Sequence, residues 1–294
     1  MPTTTDPSIE FLERPLRLYI DGAFVETDGQ LATLNPATGQ TLAMAPLATE
    51  REVDRAVVAA ARAFQTWRVT PPTQRARLMW SLADLLEANK DEFARLEVLD
   101  NGKPLWEAEA VDIALTIELL RYYAGWATKI SGQVLPNSIP GMLTISRREP
   151  VGVVAAITPW NFPLLEVAYK LAPALATGCT IVVKPSEMAP LSTLRLMDLV
   201  HEAGFPNGVV NVVIGGPEVG GALIRHPGVD KIAFTGQTAT GKEILRASID
   251  DLKRVSLELG GKSPNIVFAD ADLEAAATGA FGGIFFNQGQ ACVA

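Results

Sequence analysis

Two thiols are the strongest nucleophile candidates in this 294-residue chain, Cys179 and Cys292. Cys179 directly precedes the apolar run Thr180–Val183 and reads as a buried core residue. Cys292 ends Asn287-Gln288-Gly289-Gln290-Ala291-Cys292, a glycine-containing loop after a helical stretch, where a thiol can meet a substrate. The other chemistry-bearing residues fall in short runs, each behind an apolar stretch of strand length. Thr158-Pro159-Trp160-Asn161-Phe162-Pro163 follows Val151–Ile157, and Lys184-Pro185-Ser186-Glu187 closes Thr180–Lys184. Gly215-Gly216 and Gly220-Gly221 follow Val209–Val213. Thr235 to Gly241 follows Lys231–Phe234, and Glu258-Leu259-Gly260-Gly261 closes Arg254–Glu258. Glycines let a ligand approach the backbone, and helix N-termini attract anions. One such loop reads as a tight turn; five on one edge point to a phosphate-bearing ligand.

The elements that must hold these loops are legible by pattern. From Val151 onward, short apolar strands alternate with helices near 163–177, 191–203, 217–225 and 239–249. That alternation predicts a Rossmann-like α/β fold, a parallel sheet with helices on both faces and ligands at the carboxyl ends of its strands. Before it, Asp21-Gly22 predicts a hairpin turn between Leu18–Ile20 and Ala23–Val25. Thr49 and Glu52 fit a capping box ahead of an alanine-rich helix to about Phe64. Helices are expected near 73–89, 91–100 and 106–130, with Asn101-Gly102 ending the second. Gly132–Leu135 and Met142–Arg147 predict a protruding β-hairpin. A strand at Ile266–Phe268 and a helix from Asp272 follow. The resulting division is a flexible tail (1–14), a nucleotide-binding domain (15–130 and 148–260), the hairpin (131–147) and the start of a second α/β unit (261–294).

Composition narrows the function. The chain carries 25 Lys plus Arg against 33 Asp plus Glu, a net charge of −8, which argues against a nucleic-acid groove. No apolar run reaches the length of a membrane span. Two cysteines give no disulfide framework and suit a reducing cytoplasm, and two histidines are few for a metal site. Gly236–Glu243 (GQTATGKE) matches a P-loop up to its last position, where Glu243 replaces the hydroxyl residue that ligates Mg²⁺. A P-loop-like NTPase is therefore the weaker alternative, beside a non-catalytic nucleotide-binding chain. The dinucleotide fingerprint G-x-G-x-x-G is absent.

Taken together, the chain resembles the aldehyde dehydrogenase superfamily. The resemblance rests on ITPWNFP (157–163), KPSE (184–187), FTGQTATG (234–241), LELGGKSP (257–264) and GQAC (289–292), in the family's order. Glu258 and Cys292 lie 34 residues apart, similar to the family's interval. The resemblance implies Cys292 as the nucleophile toward a small aldehyde. It implies the Asn161 amide and the Cys292 backbone N–H as oxyanion donors, and Glu258 as the base that activates water on a thioester. A glutamate at 258 implies the hydrolytic branch, which releases free acid.

The cofactor so implied is NAD, with NADP as the alternative. Its contacts would come from Ile157, Thr158, Pro159, Trp160, Lys184, Ser186, Glu187, Gly216, Gly220, Thr235, Gly236, Gln237, Gly241 and Leu259. Glu187 would accept both ribose hydroxyls and repel a 2′-phosphate. Gln237 stands where the family usually has serine. Phe162, Glu166, Tyr169, Phe285 and Phe286 fall where the family lines its aldehyde tunnel; Glu166 suits a cationic aldehyde or points to solvent. The resemblance also implies a homodimer or homotetramer built through the hairpin. Family members continue well past the cysteine, so the expectation is an N-terminal fragment with little turnover of its own.

Overall fold

The computed structural model describes residues 6–294. Its first element corrects the expected tail over 1–14: Pro7–Glu13 is a helix, α1, capped by the Asp6 carboxylate on the Ser8 N–H. Phe11 is buried and Arg95 pairs with Asp6, which docks α1 on the body of the protein. Residues 1–5 lie outside the described residues.

β1 (Leu18–Ile20) and β2 (Ala23–Val25) fold back at Asp21 and Gly22, with φ of 57° and 76°, as a tight hairpin turn demands. β3 (Gly29–Leu34) and β4 (Thr41–Leu47) form a second antiparallel pair. α2 (Glu50–Trp67) opens on the predicted capping box, with the Thr49 N–H donating to Glu52 Oε2 at 2.9 Å. α3 (Pro72–Ala88) and α4 (Lys90–Asn101) follow, and α4 ends at Gly102 in the left-handed region, φ 86°.

The next helix is not uniform. α5 (Leu105–Glu107) passes through a π-helical segment, Ala108–Ile113, into α6 (Ala114–Trp126). Glu107 and Ala108 are buried where the segment begins, Asp112 and Ile113 where it ends. Positions five apart are out of phase on an α-helix; the wider π turn brings both pairs inward. β5 (Gln133–Leu135) and β6 (Thr144–Ser146) form the expected hairpin, exposed along its length.

The chain then alternates as predicted: β7 (Val153–Ile157), α7 (Pro163–Thr177), β8 (Thr180–Lys184), α8 (Leu191–Glu202), β9 (Val210–Val212), α9 (Pro217–Arg225), β10 (Lys231–Thr235), α10 (Thr238–Ala247) and β11 (Arg254–Glu258). The sheet order is β11-β10-β7-β8-β9-β1-β2. The first five strands are parallel, and the β1–β2 hairpin extends the sheet antiparallel beyond β9. The order runs outward both ways from β7, so β7 and β10 flank the switch point where such sheets bind ligands. Register levels the strand ends there: Ile157 lies opposite Lys184, and Thr235 opposite Glu258.

Ile266–Phe268 is not a strand, and Ile266 and Phe268 are both exposed. No strand lies beside it among the described residues, and an apolar run needs a pairing partner to become one. α11 (Leu273–Phe285) starts as expected, with Asp272 accepting from the Glu274 and Ala275 N–H groups.

α7 and α8 lack a side-chain cap of their own, their N-cap positions being Phe162 and Pro190. α4 supplies the caps from a distance. Glu97 Oε1 accepts the Leu164 N–H at 3.1 Å, and Asp100 Oδ2 accepts the Leu191 N–H at 2.8 Å. Burial pushes the Glu97 carboxyl up to about 7, against the pull of Lys103, and raises Asp100 well above the usual carboxylate range. Because the folded value of Glu97 exceeds its unfolded value of 4.5, its contribution to stability is full below the unfolded value and lost as pH rises through the folded one. Glu97→Gln imitates the protonated form. Thermal unfolding should therefore show the variant gaining on the parent as pH rises from about 5 to about 8; a pH-independent difference would place the titration elsewhere.

Candidate active site

A cavity of about 800 Å³ lies between α7, the ends of β10 and β11 and the segment that carries Cys292. Its wall includes Cys292, Glu258, Thr235, Phe162, Glu166, Tyr169 and Phe286. Cys292 is an exposed, free thiol and Cys179 a buried one, as their sequence settings predict. Phe162 and Phe286 stack at 5.9 Å and join the start of α7 to the Cys292 segment. A Cβ at Gly261 would fall 2.7 Å from the Cys292 carbonyl oxygen, so glycine is what lets the end of the sheet touch the cysteine segment.

Asn161 leaves β7 on the loop before α7, and both its ends are held. Its side-chain Nδ2 donates to the Gln290 carbonyl at 2.7 Å, two residues before Cys292. Its own carbonyl accepts from Asn287 Nδ2 at 2.8 Å and from Lys103 Nζ at 3.3 Å. Trp160 is exposed, and its carbonyl accepts from Asn101 Nδ2 at 2.8 Å. Asn287 is fully buried at φ 49°, and Gln288 follows at φ 57°; asparagine tolerates this left-handed region better than most residues. The Asn287 N–H donates to Glu107 Oε2 at 3.0 Å.

The predicted nucleotide contacts share the same edge. Lys184 is buried beside Glu187, 3.2 Å from its Oε2, and Gly220 lies against the Lys184 methylenes. Burial pulls the Lys184 ammonium below the usual lysine range, partly offset by Glu187. Ser186 Oγ accepts the Met188 N–H at 3.2 Å. Gly216 and Gln237 are the N-cap positions of α9 and α10, and neither helix has a side-chain cap. Their first-turn N–H groups are free for an anion. The Thr158 N–H donates to the Lys184 carbonyl, tying Ile157-Thr158-Pro159 to β8, and Thr158 Oγ1 is buried without a partner. The Gly236 N–H donates to the Glu258 carbonyl, and Gly241 packs on Leu259. This set of free N–H groups, one buried lysine and glycine-lined approach fits a dinucleotide. No cluster of metal-ligating side chains occurs among the described residues.

The weaker alternative falls and two expectations are corrected. The P-loop reading fails because α10 already begins at Thr238, and the Gly241 N–H is spent on the Gln237 carbonyl inside the helix. A phosphate cradle needs those N–H groups free. Glu243 instead pairs with Arg246 on the exposed face of α10. Glu166 neither meets solvent nor offers a free carboxylate: it is buried and paired with Lys170 at 2.8 Å. Lys170 also donates to Thr235 Oγ1 at 2.7 Å. Phe285 packs on Phe281 and does not line the cavity.

Sequence reasoning missed Lys103, Glu107, Asp112, Lys170 and Asn287. The available signals were charged residues at inward positions of amphipathic helices and an Asn-Gln pair at a helix end.

The model of the aldehyde dehydrogenase family matches residues 24–294. The chain is 53% identical to DhaS of Bacillus subtilis, covering 97% of this chain and 58% of that protein. It is 50% identical to a phenylacetaldehyde dehydrogenase of Pseudomonas fluorescens, covering 98% and 59%. The NAD+ complex of an aldehyde dehydrogenase from Bacillus cereus superposes with a TM-score of 0.96 at 52% identity, covering 98% of this chain and 60% of that one. The chain thus spans about three-fifths of the length of the relatives it matches.

The contrast between the two thiols is directly measurable. Iodoacetamide followed by peptide mass spectrometry should label Cys292 at least about tenfold faster than Cys179. Equal rates would contradict the difference in exposure between the two thiols.

Proposed function

The chain belongs to the aldehyde dehydrogenase family, and from that premise we propose that it serves the NAD-dependent oxidation of an aldehyde to its carboxylic acid. The observation that carries this reading is the shared wall of Cys292 and Glu258 in one cavity, with the Asn161 amide tied to the cysteine loop. Cys292 Sγ, as thiolate, attacks the aldehyde carbon; a C–S bond forms and the carbonyl π electrons move to oxygen. The Asn161 Nδ2 and the Cys292 backbone N–H donate to that oxyanion. NAD, when bound, supplies the acceptor for the hydride that leaves the same carbon, and Cys292 is left as a thioester. Glu258 then takes a proton from water, the hydroxide adds to the thioester carbon, and the C–S bond breaks to return the thiolate and free acid.

The proposed cofactor cradle is Lys184, Glu187 and Gly220 on the adenosine side, with the N-termini of α9 and α10 near the phosphates. Glu187 would accept ribose hydroxyls and disfavour a 2′-phosphate, which supports NAD over NADP. Phe162, Tyr169 and Phe286 would form an aromatic aldehyde channel. Pairing of Glu166 with Lys170 makes a cationic aldehyde the less supported substrate class. The exposed β5–β6 hairpin is proposed as an oligomerisation surface, and a cytoplasmic setting agrees with two unpaired cysteines.

Two substitutions test the chemistry, each made in a protein that includes this chain and shows aldehyde-dependent NADH formation. Cys292→Ser should abolish aldehyde-dependent NADH formation at 340 nm while calorimetry still detects NAD binding. Glu258→Gln should release one equivalent of NADH and stall, with an acyl adduct on Cys292 visible by intact mass. A Glu258→Gln protein that turns over freely would take Glu258 out of the hydrolytic role.

A further inference from the structure

The acids buried beneath the Asn161 loop take no part in the proposed chemistry, yet they converge on one cation. The Lys103 side chain is fully buried, paired with Asp112 and 4.0 Å from Glu97 Oε2. Its ammonium lies 4.5 Å above the centre of the Phe162 ring. One donor leaves this cluster and reaches the Asn161 carbonyl at 3.3 Å. The same carbonyl takes Asn287 Nδ2, and the Asn287 main chain is held by Glu107, four residues beyond Lys103 in the chain. Lys103 and Glu107 therefore grip two loops from one short stretch of chain, the loop of Asn161 and the loop that leads to Cys292.

Stability alone does not account for such an arrangement. A buried ion pair is often no more stabilising than apolar side chains of the same volume. What an apolar replacement cannot do is donate to the Asn161 carbonyl. With that carbonyl fixed from below, the side-chain amide is left facing the cysteine loop, 2.7 Å from the Gln290 carbonyl. Oxyanion donors act only within a narrow range of distance, and a displacement of about 1 Å can cost about 10²-fold in rate.

Resting on the reading of Asn161 as an oxyanion donor, we infer that Lys103 is a positioning residue that sets the Asn161 amide against Cys292 through the Asn161 main chain. It touches no substrate atom; it acts through Asn161, and Asn287 shares the task.

The test is a double-mutant cycle on aldehyde oxidation, made in a protein that includes this chain and shows aldehyde-dependent NADH formation, and read as kcat and KM with thermal unfolding alongside. Lys103→Met alone strands Asp112 and Glu97 in a dry site, so it is combined with Asp112→Leu to remove the imbalance. Lys103→Arg is a second variant, which keeps the charge and moves its donors. Both are expected to lower kcat at least tenfold while KM for NAD and the unfolding temperature stay near the parent's. In an Asn161→Ala background the same changes should cost less than twofold, because the group through which they act is gone. An unchanged kcat in either Lys103 variant, or losses that multiply with Asn161→Ala, would overturn the inference. If Asn161→Ala itself were as fast as the parent, the reading of that amide as an oxyanion donor would fall, an outcome distinguishable from failure of Lys103 alone.

Discussion

The arrangement of the site depends on one buried ammonium. Lys103 is the cation that faces Asp112 and Glu97 in a region closed to water, and a second donor reaches the loop of Asn161. Removing one partner from a buried charge pair typically costs about 3–5 kcal/mol, because the other charge is left without solvent or counter-ion. α4, α5, the π-helical segment and the start of α7 must therefore stay in register with one another. The π turn serves that register: it lets Glu107 and Asp112 both face inward from one helix.

The same region solves a second problem. α7 and α8 begin in the interior without capping side chains of their own, and buried N–H groups must be satisfied. Glu97 and Asp100 of α4 do this across the fold. One helix end therefore fixes where two later helices begin, and α7 carries the residues that line the cavity. The sheet does the rest by register. Its parallel strands finish level around the switch point, so Lys184, Thr235 and Glu258 share one edge although they are distant in sequence.

Electrostatics explains why sequence reasoning placed Glu166 beside the cavity but not its partner. A glutamate one residue from an apolar pair on a helix reads as solvent-facing or as a free anion for a cationic ligand. It is neither, because Lys170 lies one turn on and faces the same cavity wall. Two opposite charges a turn apart in a half-dry site pair with each other before they are available to a ligand. Lys170 then reaches Thr235 and links α7 to the end of β10.

The elements and their order were legible in the sequence because they depend on local patterns. β8, α7, α9 and β11 match their predicted bounds, and the capping box at Thr49, the turn at Asp21-Gly22 and the stop at Gly102 are each set by a few neighbouring residues. The types of the site residues were equally legible, since strand-end loops are recognisable one at a time. The tertiary structure decided what those residues bond to. The partners of Asn161 lie 58, 126 and 129 residues away, and Glu107 meets Asn287 across 180. It also decided that the segment from Pro7 folds as a docked helix and that Ile266–Phe268 stays unpaired. The physical reason is the same in each case. Backbone propensity acts over a few residues, whereas burial, ion pairing and strand pairing depend on what the rest of the chain brings alongside.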